Sequence, residues 1–355
     1  MPLVAHSALP TFNRLKDEGE TIISDESARR QDIRELHIGL LNMMPDAALS
    51  ATERQFFRLI GESNQIAQFY IHPFTLPEIS RSIEAQNHID EYYETFEEIK
   101  SNGLDALIIT GANVTQPNLS EEVFWQPLIN VIDWAYENVP STLCSCLATH
   151  AVMQFRYNQK RKKKNAKIWG VFQHRVKDRS HPLVNGVNTR FDVPHSRFND
   201  ISRQQFEDAG LHVLAESEEA GVHLAVSEDK FRIVFFQGHP EYDMISLLKE
   251  YKREILRFIN DEICVYPPFP KHYFSRKTKA IFYEYQQYVI EQKSLSLAIE
   301  KTMPENLIAE SLDNTWHDTA ESVLNNWIGK VYQITSNTRG ELFMSHVDPR
   351  NPLGL

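Results

Sequence analysis

Apolar residues in this chain gather in short runs that alternate with longer stretches where they recur every three or four positions. The run from His37 to Leu41 in "IRELHIGLLNMMPD" stops at a Met-Pro turn. "LSATERQFFRLI" follows with Phe56, Phe57 and Ile60 on one side of a helix that Ser50 or Thr52 is placed to cap. "IAQFYIHPF" reads as a second strand and "YYETFEEIKSNG" as an amphipathic helix ending near Gly103. "LDALIITGAN" is a continuous apolar strand closed by a Gly-Ala-Asn turn, and "EEVFWQPLINVIDWAYENV" returns to helical spacing. "PSTLCSCLATHAVMQF" then runs from strand into helix. Near-continuous apolar strands alternating with helices predict an α/β fold, a parallel sheet covered on both faces.

The pattern continues less regularly. "KIWGVFQHRV" and "GVNTRFDVPHSRF" read as strand and loop, and "LHVLAES", "GVHLAVSED" and "FRIVFFQGHPEYD" as three further strands. The last leads into the helix "MISLLKEYKREILRFI". Ligand sites in open α/β sheets form beyond the carboxyl ends of strands, where both "CSCLATH" and "GHPEYD" fall. From Pro267 to Phe274 the chain turns Pro- and aromatic-rich, which marks the end of the sheet domain. The Tyr, Phe and Trp of the helical pieces beyond it favour packing against the main domain. This gives an N-terminal arm 1–32, a main sheet domain 33–266 and a C-terminal extension 267–355.

Composition narrows the function classes. The 355 residues are 42% hydrophobic and 24% charged, and a formal net charge of -11 repels nucleic acid on average and gives no attraction to an anionic membrane. The N-terminus lacks the basic start and apolar run of a secretory signal, and no window reaches the roughly 18 apolar residues of a membrane span. A cytoplasmic location is the expectation. Three cysteines cannot build a disulfide framework, and a lone Cys-x-Cys pair lacks the second ligand pair of a structural zinc site.

Two of those cysteines frame one serine in "TLCSCLATHAVM". A cysteine where a strand turns into a helix has its thiolate favoured by the helix N-terminus. Cys146 fits that bend, and Cys144 then points into the packing of the sheet. Both thiols being structural is the plain alternative. Activation needs a base, and His239 at a strand end, with Glu241 two residues on, offers an imidazole and a carboxylate to orient it.

The ordered blocks "LNMMP…TERQFFRLI", "DALIITGAN", "STLCSCLATHA", "WGVFQHRV", "FDVPHSR", "QGHPEYD" and "NNWIGKVYQIT" resemble the homoserine O-acyltransferases of methionine biosynthesis, the homoserine transsuccinylase branch. The resemblance runs from about Ile33 to Thr335. It implies a fold similar to class I glutamine amidotransferases, a flavodoxin-like three-layer sandwich on a parallel sheet, with a helical C-terminal extension. It makes Cys146 the acyl-carrying nucleophile, with His239 and Glu241 as its base and orienting acid. Lys167, Ser196 and Arg253 look like the family's substrate contacts, and Arg197 is a further candidate. The Gly-x-Cys-x-Gly of an amidotransferase is absent, since Ser145 and Leu147 flank Cys146. That argues against glutamine hydrolysis.

The amides of Leu147 and of the Gly111-Ala112 turn are candidates for the oxyanion hole. In acetyl-preferring relatives a glutamate narrows the acyl pocket, and the matching position here is Thr115, small and uncharged. Succinyl-CoA is therefore the expected donor, with L-homoserine as acceptor. Acetyl-CoA is the rival donor, and an inactive metabolite-binding module the rival class. The dense basic run from Gln159 to Lys167 is read as a solvated loop or as an attractor for the phosphates of coenzyme A. Roughly 30 residues between Thr278 and Leu312 are extra to the commoner pattern. The chemistry requires no metal and no permanently bound cofactor. The expected partners are small molecules, without nucleic acid or membrane, and a homodimer is the candidate assembly.

Overall fold

The computed structural model describes residues 3–64, 66–339 and 346–355. Its strands, in chain order, are β1 (Leu3–Ala5), β2 (Ile22–Ser24), β3 (Glu35–Met43), β4 (Gln68–Phe74), β5 (Ala106–Ala112) and β6 (Ser141–Ser145). They are followed by β7 (Lys162–Val176), β8 (Arg190–Asp200), β9 (His212–Ser217), β10 (Gly221–Val226) and β11 (Ile233–Phe236). All join one sheet in the order β2-β1-β4-β3-β5-β6-β11-β10-β9-β7-β8.

From β2 to β11 the neighbours run parallel. Across β11, β10, β9, β7 and β8 they run antiparallel. The sheet is thus mixed, where the apolar pattern predicts a parallel one. The reason lies in the connections: segments 218–220 and 227–232 are too short for the crossover of a dozen or more residues that parallel neighbours need. Residues of the predicted N-terminal arm add β1 and β2 to the parallel edge.

Alternating side chains feed two cores. Leu36, Ile38 and Leu40 of β3, Ile108 of β5 and Phe236 of β11 meet Phe57 and Ile60 of helix Asp46–Ser63 and Trp327 of helix His317–Ile334. Leu41, Met43, Leu107, Ile109, Cys144 and Phe235 face the opposite way, toward helices Trp125–Asn138 and Leu147–Tyr157. The fold is mixed α/β with helical extensions.

A third core forms beyond residue 266. Phe274, Phe282, Tyr285 and Val289 pack on Leu248, Tyr251 and Ile255 of helix Ser246–Ile259. The basic run is not a loop. Lys162 and Lys163 open β7 opposite Asp200 and Asn199, and Lys164 Nζ lies 3.3 Å from Asp200 Oδ2. Among the described residues no helix is long and apolar enough to cross a membrane.

Candidate active site

β6 is buried along its whole length between β5 and β11, with Cys144 in register with Ile109 on one side and Phe235 on the other. At its carboxyl end Cys146 takes φ 51° and ψ -102°, and helix Leu147–Tyr157 begins at the next residue. Positive φ is unfavourable for a residue with a side chain and persists only where its surroundings fix it. Here the Cys146 N–H donates to Phe236 O at 2.7 Å. Thr149 Oγ1, one turn into the helix, donates to Cys144 O at 2.8 Å or Phe236 O at 2.9 Å. The bend lifts the half-buried Cys146 thiol off the sheet edge at the positive end of the helix. Cys144 is fully buried, and burial pushes its thiol up, away from thiolate.

The next strand over leads to His239. β11 ends at Phe236 and the chain continues through Gly238, where an added Cβ would stand 2.6 Å from Val193 Cγ1 and 2.8 Å from His195 Nε2. Only glycine lets the loop lie this close to β8. His239 N–H then donates to Pro194 O at 2.8 Å, and its Nδ1 is 2.8 Å from Glu241 Oε1. That contact leaves Nε2 for the thiol. Burial disfavours charge on the ring, but Glu241 and the Cys146 sulfur outweigh it and hold His239 well above the usual imidazole range. Tyr242 stacks on the same ring at 4.4 Å and 16°.

Glu250, which the sequence pattern does not single out, is the meeting point of the polar groups. Its Oε2 accepts from Ser196 Oγ at 2.6 Å and lies 3.1 Å from Lys167 Nζ, while its Oε1 accepts from Tyr242 at 2.9 Å. Burial would raise its carboxyl, but Lys167, Ser196 and Tyr242 together hold it below the usual range. Lys167 and Ser196 come from the paired strands β7 and β8 and converge on this helix. Arg253, one turn after Glu250, is at the rim with its side chain 61% exposed and Glu254 at 3.6 Å. Arg197 is not brought into this group. It follows Ser196 in β8 and so points the other way, where it pairs with Asp200 at 3.1 Å and donates to the carbonyls of Asn199, at 3.3 Å, and Ala220.

The end of β5 closes another side. A Cβ added at Gly111 would stand 4.0 Å from Cys146 Cβ, so the end of β5 comes up against the bend that carries the thiol. Past Ala112 the loop is tied down by the buried Glu122, which accepts from the N–H groups of Thr115 and Gln116 at 2.6 Å each and from Thr115 Oγ1 at 3.3 Å. Over this loop reaches the half-buried Arg161. Its one hydrogen bond among the described residues is long, Nη2 to Gln116 O at 3.5 Å, and its Nε is buried without a partner. Burial lowers the guanidinium, and the charges of Glu122 and Cys146 oppose that.

Known proteins show the family to which the chain belongs. The sequence profile of the family "HTS: Homoserine O-succinyltransferase" matches residues 2–337. The chain belongs to the homoserine O-succinyltransferase family. The homoserine O-succinyltransferase of Nitrosococcus oceani is 69% identical over 355 residues, covering 100% of this chain and 99% of that protein. That of Allochromatium vinosum is 65% identical over the same shares, and that of Cardiobacterium hominis 48% over 100% and 99%. Among solved structures, a glutamine amido transferase from Methylobacillus flagellatus aligns at 13% identity over 84% of this chain and 95% of that one, with a TM-score of 0.47. That likeness is too remote to bear on the chemistry. Cys146 thus lies on a positive-φ bend, with His239 held by Glu241 at the end of the neighbouring strand.

Proposed function

We propose that Cys146, His239 and Glu241 carry the transfer of a succinyl group from succinyl-CoA to the γ-hydroxyl of L-homoserine by a ping-pong route, giving O-succinyl-L-homoserine and coenzyme A. His239 Nε2 takes the proton of Cys146, and the sulfur attacks the thioester carbonyl. The amides of Leu147 and Ala112 receive the developing oxyanion. Coenzyme A leaves with the proton from His239, and the same imidazole then deprotonates the homoserine hydroxyl as it attacks the acyl-enzyme. Glu241 keeps the ring in the tautomer that faces sulfur. The thioester is already activated, so no metal enters the scheme.

Homoserine brings an ammonium and a carboxylate. Glu250, held by Lys167 and Ser196, is the natural partner of the ammonium, and Arg253 at the rim suits the carboxylate. Arg197 we assign to holding the Asp200 corner behind the site. The distal succinyl carboxylate lies against Thr115, whose small side chain leaves it room, and pairs with Arg161. Lys162 and Lys163, exposed at the start of β7, draw the phosphates of coenzyme A. The layering is read as the three-layer, flavodoxin-like sandwich of the amidotransferases, with residues 33–266 as the catalytic unit between an arm (1–32) and an extension (267–355). The protein works in the cytoplasm, as a homodimer, without nucleic acid or membrane.

The observation that carries this reading is the positive-φ Cys146 beside the His239–Glu241 pair. Its test is intact-protein mass after mixing with succinyl-CoA alone. An adduct of about 100 Da is expected on the wild type and on Cys144→Ser, and none on Cys146→Ser. An adduct that survives in Cys146→Ser would overturn the assignment.

A further inference from the structure

The parallel edge of the sheet has a weak joint with an unusual set of side chains beside it. Among the described residues β1 meets β4 through the single register pair Leu3 with Phe69, and β2 pairs with β1 alone. His6 follows β1 directly, His72 lies in β4, and Glu94 bridges to Phe74 at the end of β4. One ligand atom from each of His6, His72 and Glu94 falls within 4.8 Å of the other two. Their surroundings decide which nitrogens face that point. His6 Nδ1 is 3.0 Å from Val4 O, which can only accept, so Nδ1 carries the proton and Nε2 keeps a free lone pair.

A longer chain constrains His72. Its Nε2 is 2.9 Å from His37 Nδ1, and His37 Nε2 is 3.1 Å from Glu35 Oε2, while its Nδ1 is in close contact with Glu94 Oε1. Both ends of the chain are carboxylates, which only accept, and two neutral imidazoles bring two protons to three contacts, so one contact lacks a hydrogen. With the protons on the Glu35 and His37 contacts, His72 Nδ1 presents a lone pair to Glu94 Oε1. A lone pair against a carboxylate repels unless a positive charge stands between them. A proton satisfies that pair alone, whereas a metal ion also uses the free Nε2 of His6.

We propose that His6, His72 and Glu94 form a site for a late first-row divalent cation, zinc above all, which fastens the β2–β1 edge to β4. Two imidazoles and a carboxylate are a zinc-type donor set with one position open to water, and side chains would shift by about 1 Å to reach bonds of about 2.0–2.2 Å. The outer partners, Val4 O for His6 and His37–Glu35 for His72, orient the ligands as metal-bound histidines require. His72 and Glu94 are 12% and 28% exposed, so an ion has a way in. This site takes no part in acyl transfer.

The full chain, stripped with a chelator, is loaded with Zn2+ alone, gel-filtered and analysed for metal, and in parallel loaded with Co2+ for its visible spectrum. One ion per chain is expected, with tetrahedral Co2+ bands and without the thiolate charge-transfer band that Cys146 or Cys264 would add. His6→Gln, His72→Gln and Glu94→Gln each lose it, and His37→Phe weakens it about 10–100-fold. His317→Gln, at the other cluster of Glu62, His317 and Glu321, leaves it unchanged. Zn2+ raises the wild-type melting temperature and slows proteolysis of the first 25 residues, and does neither in His6→Gln. His6 lies outside every strand, so that variant keeps the test valid if His72→Gln fails to fold. No bound ion, sulfur ligation of Co2+, or undiminished binding in His6→Gln overturns the proposal.

Discussion

The conformation of Cys146 costs of order 1–3 kcal/mol in local strain, and the same hydrogen bonds that fix it aim the sulfur. A thiol so placed needs only a partner for each charge that arrives. Among the groups around it, Arg161 is the cation whose charge is least used: a long bond to a carbonyl and a buried, unpartnered Nε. Arg161→Leu is therefore expected to lower kcat/KM with succinyl-CoA at least tenfold, about 1.4 kcal/mol, while leaving acetyl-CoA, which has no second carboxylate, close to its starting value. Thr115→Glu should act in the same direction by placing a like charge against the acyl carboxylate. Parallel measurement of both donors checks this, and an equal loss with both would mean that Arg161 supports the Gln116 loop instead. Cys146, His239 and Glu241 are legible in the sequence because each stands just past an apolar strand that announces its own end. Glu250 and Arg161 are not. A charge on a helix or in a basic run reads as solvated until one knows what it faces, although Glu250 stands one turn before Arg253 in "LKEYKREI".

Helix Ser246–Ile259 carries Glu250 and Arg253, and its position is set from behind. Lys293 Nζ donates to Phe258 O at 2.7 Å and Ile259 O at 3.0 Å, closing the carboxyl end of the helix, and Lys252 pairs with Glu305. Lys271 bridges to β7: its N–H donates to Trp169 O at 2.8 Å and its carbonyl accepts from Val171 at 2.9 Å. Gly170 makes that approach feasible, since a Cβ there would stand 2.1 Å from Lys271 O. Phe282 is fully buried against Tyr251, Phe269 and Phe274. Phe282→Ala should cost about 3–5 kcal/mol of stability and, by loosening the helix, raise KM for homoserine more than KM for succinyl-CoA. Denaturant melts and steady-state kinetics test this; unchanged KM values would separate the extension from the site. An aromatic-rich tail signals packing, but not which helix it meets, because that partner is distant in sequence. The antiparallel half of the sheet is hidden for a related reason. Strands buried on both faces look alike whichever way they run, and only the short connections 218–220 and 227–232 distinguish them.

Across the whole molecule the most unusual investment is in buried neutral imidazoles. His150, His174, His195 and His223 lie in or beside the sheet next to the loop of His239, His174 with Nδ1 2.8 Å from Phe172 O and Nε2 3.2 Å from His195. Burial lowers all four, His174 to about 4 and His150 to about 3, with the nearby Arg197 charge adding to it. A depressed folded-state value means that above the unfolded value of about 6.5 neither state holds the proton, and no stability is lost. Below it the unfolded chain gains protons that the folded chain refuses. Each histidine then withdraws about 1.4 kcal/mol per pH unit, until the folded value is reached and the loss levels off. His239 has the opposite sign: its raised value contributes stability that is fully present below about 6.5 and is lost only as pH rises through the folded value, so it leaves the slope in this window unchanged. Stability should therefore fall steeply between about pH 6.5 and 4.5, before most carboxylates titrate. His150 is the cleanest probe, because its Nε2 is 3.2 Å from Gln237 Oε1 and a glutamine at 150 offers a replacement donor. In His150→Gln the slope of unfolding free energy against pH over that window should be shallower by about 1.4 kcal/mol per unit than in the wild type. Denaturant melts at four pH values measure it, and identical slopes would show that His150 already carries a proton in the folded state.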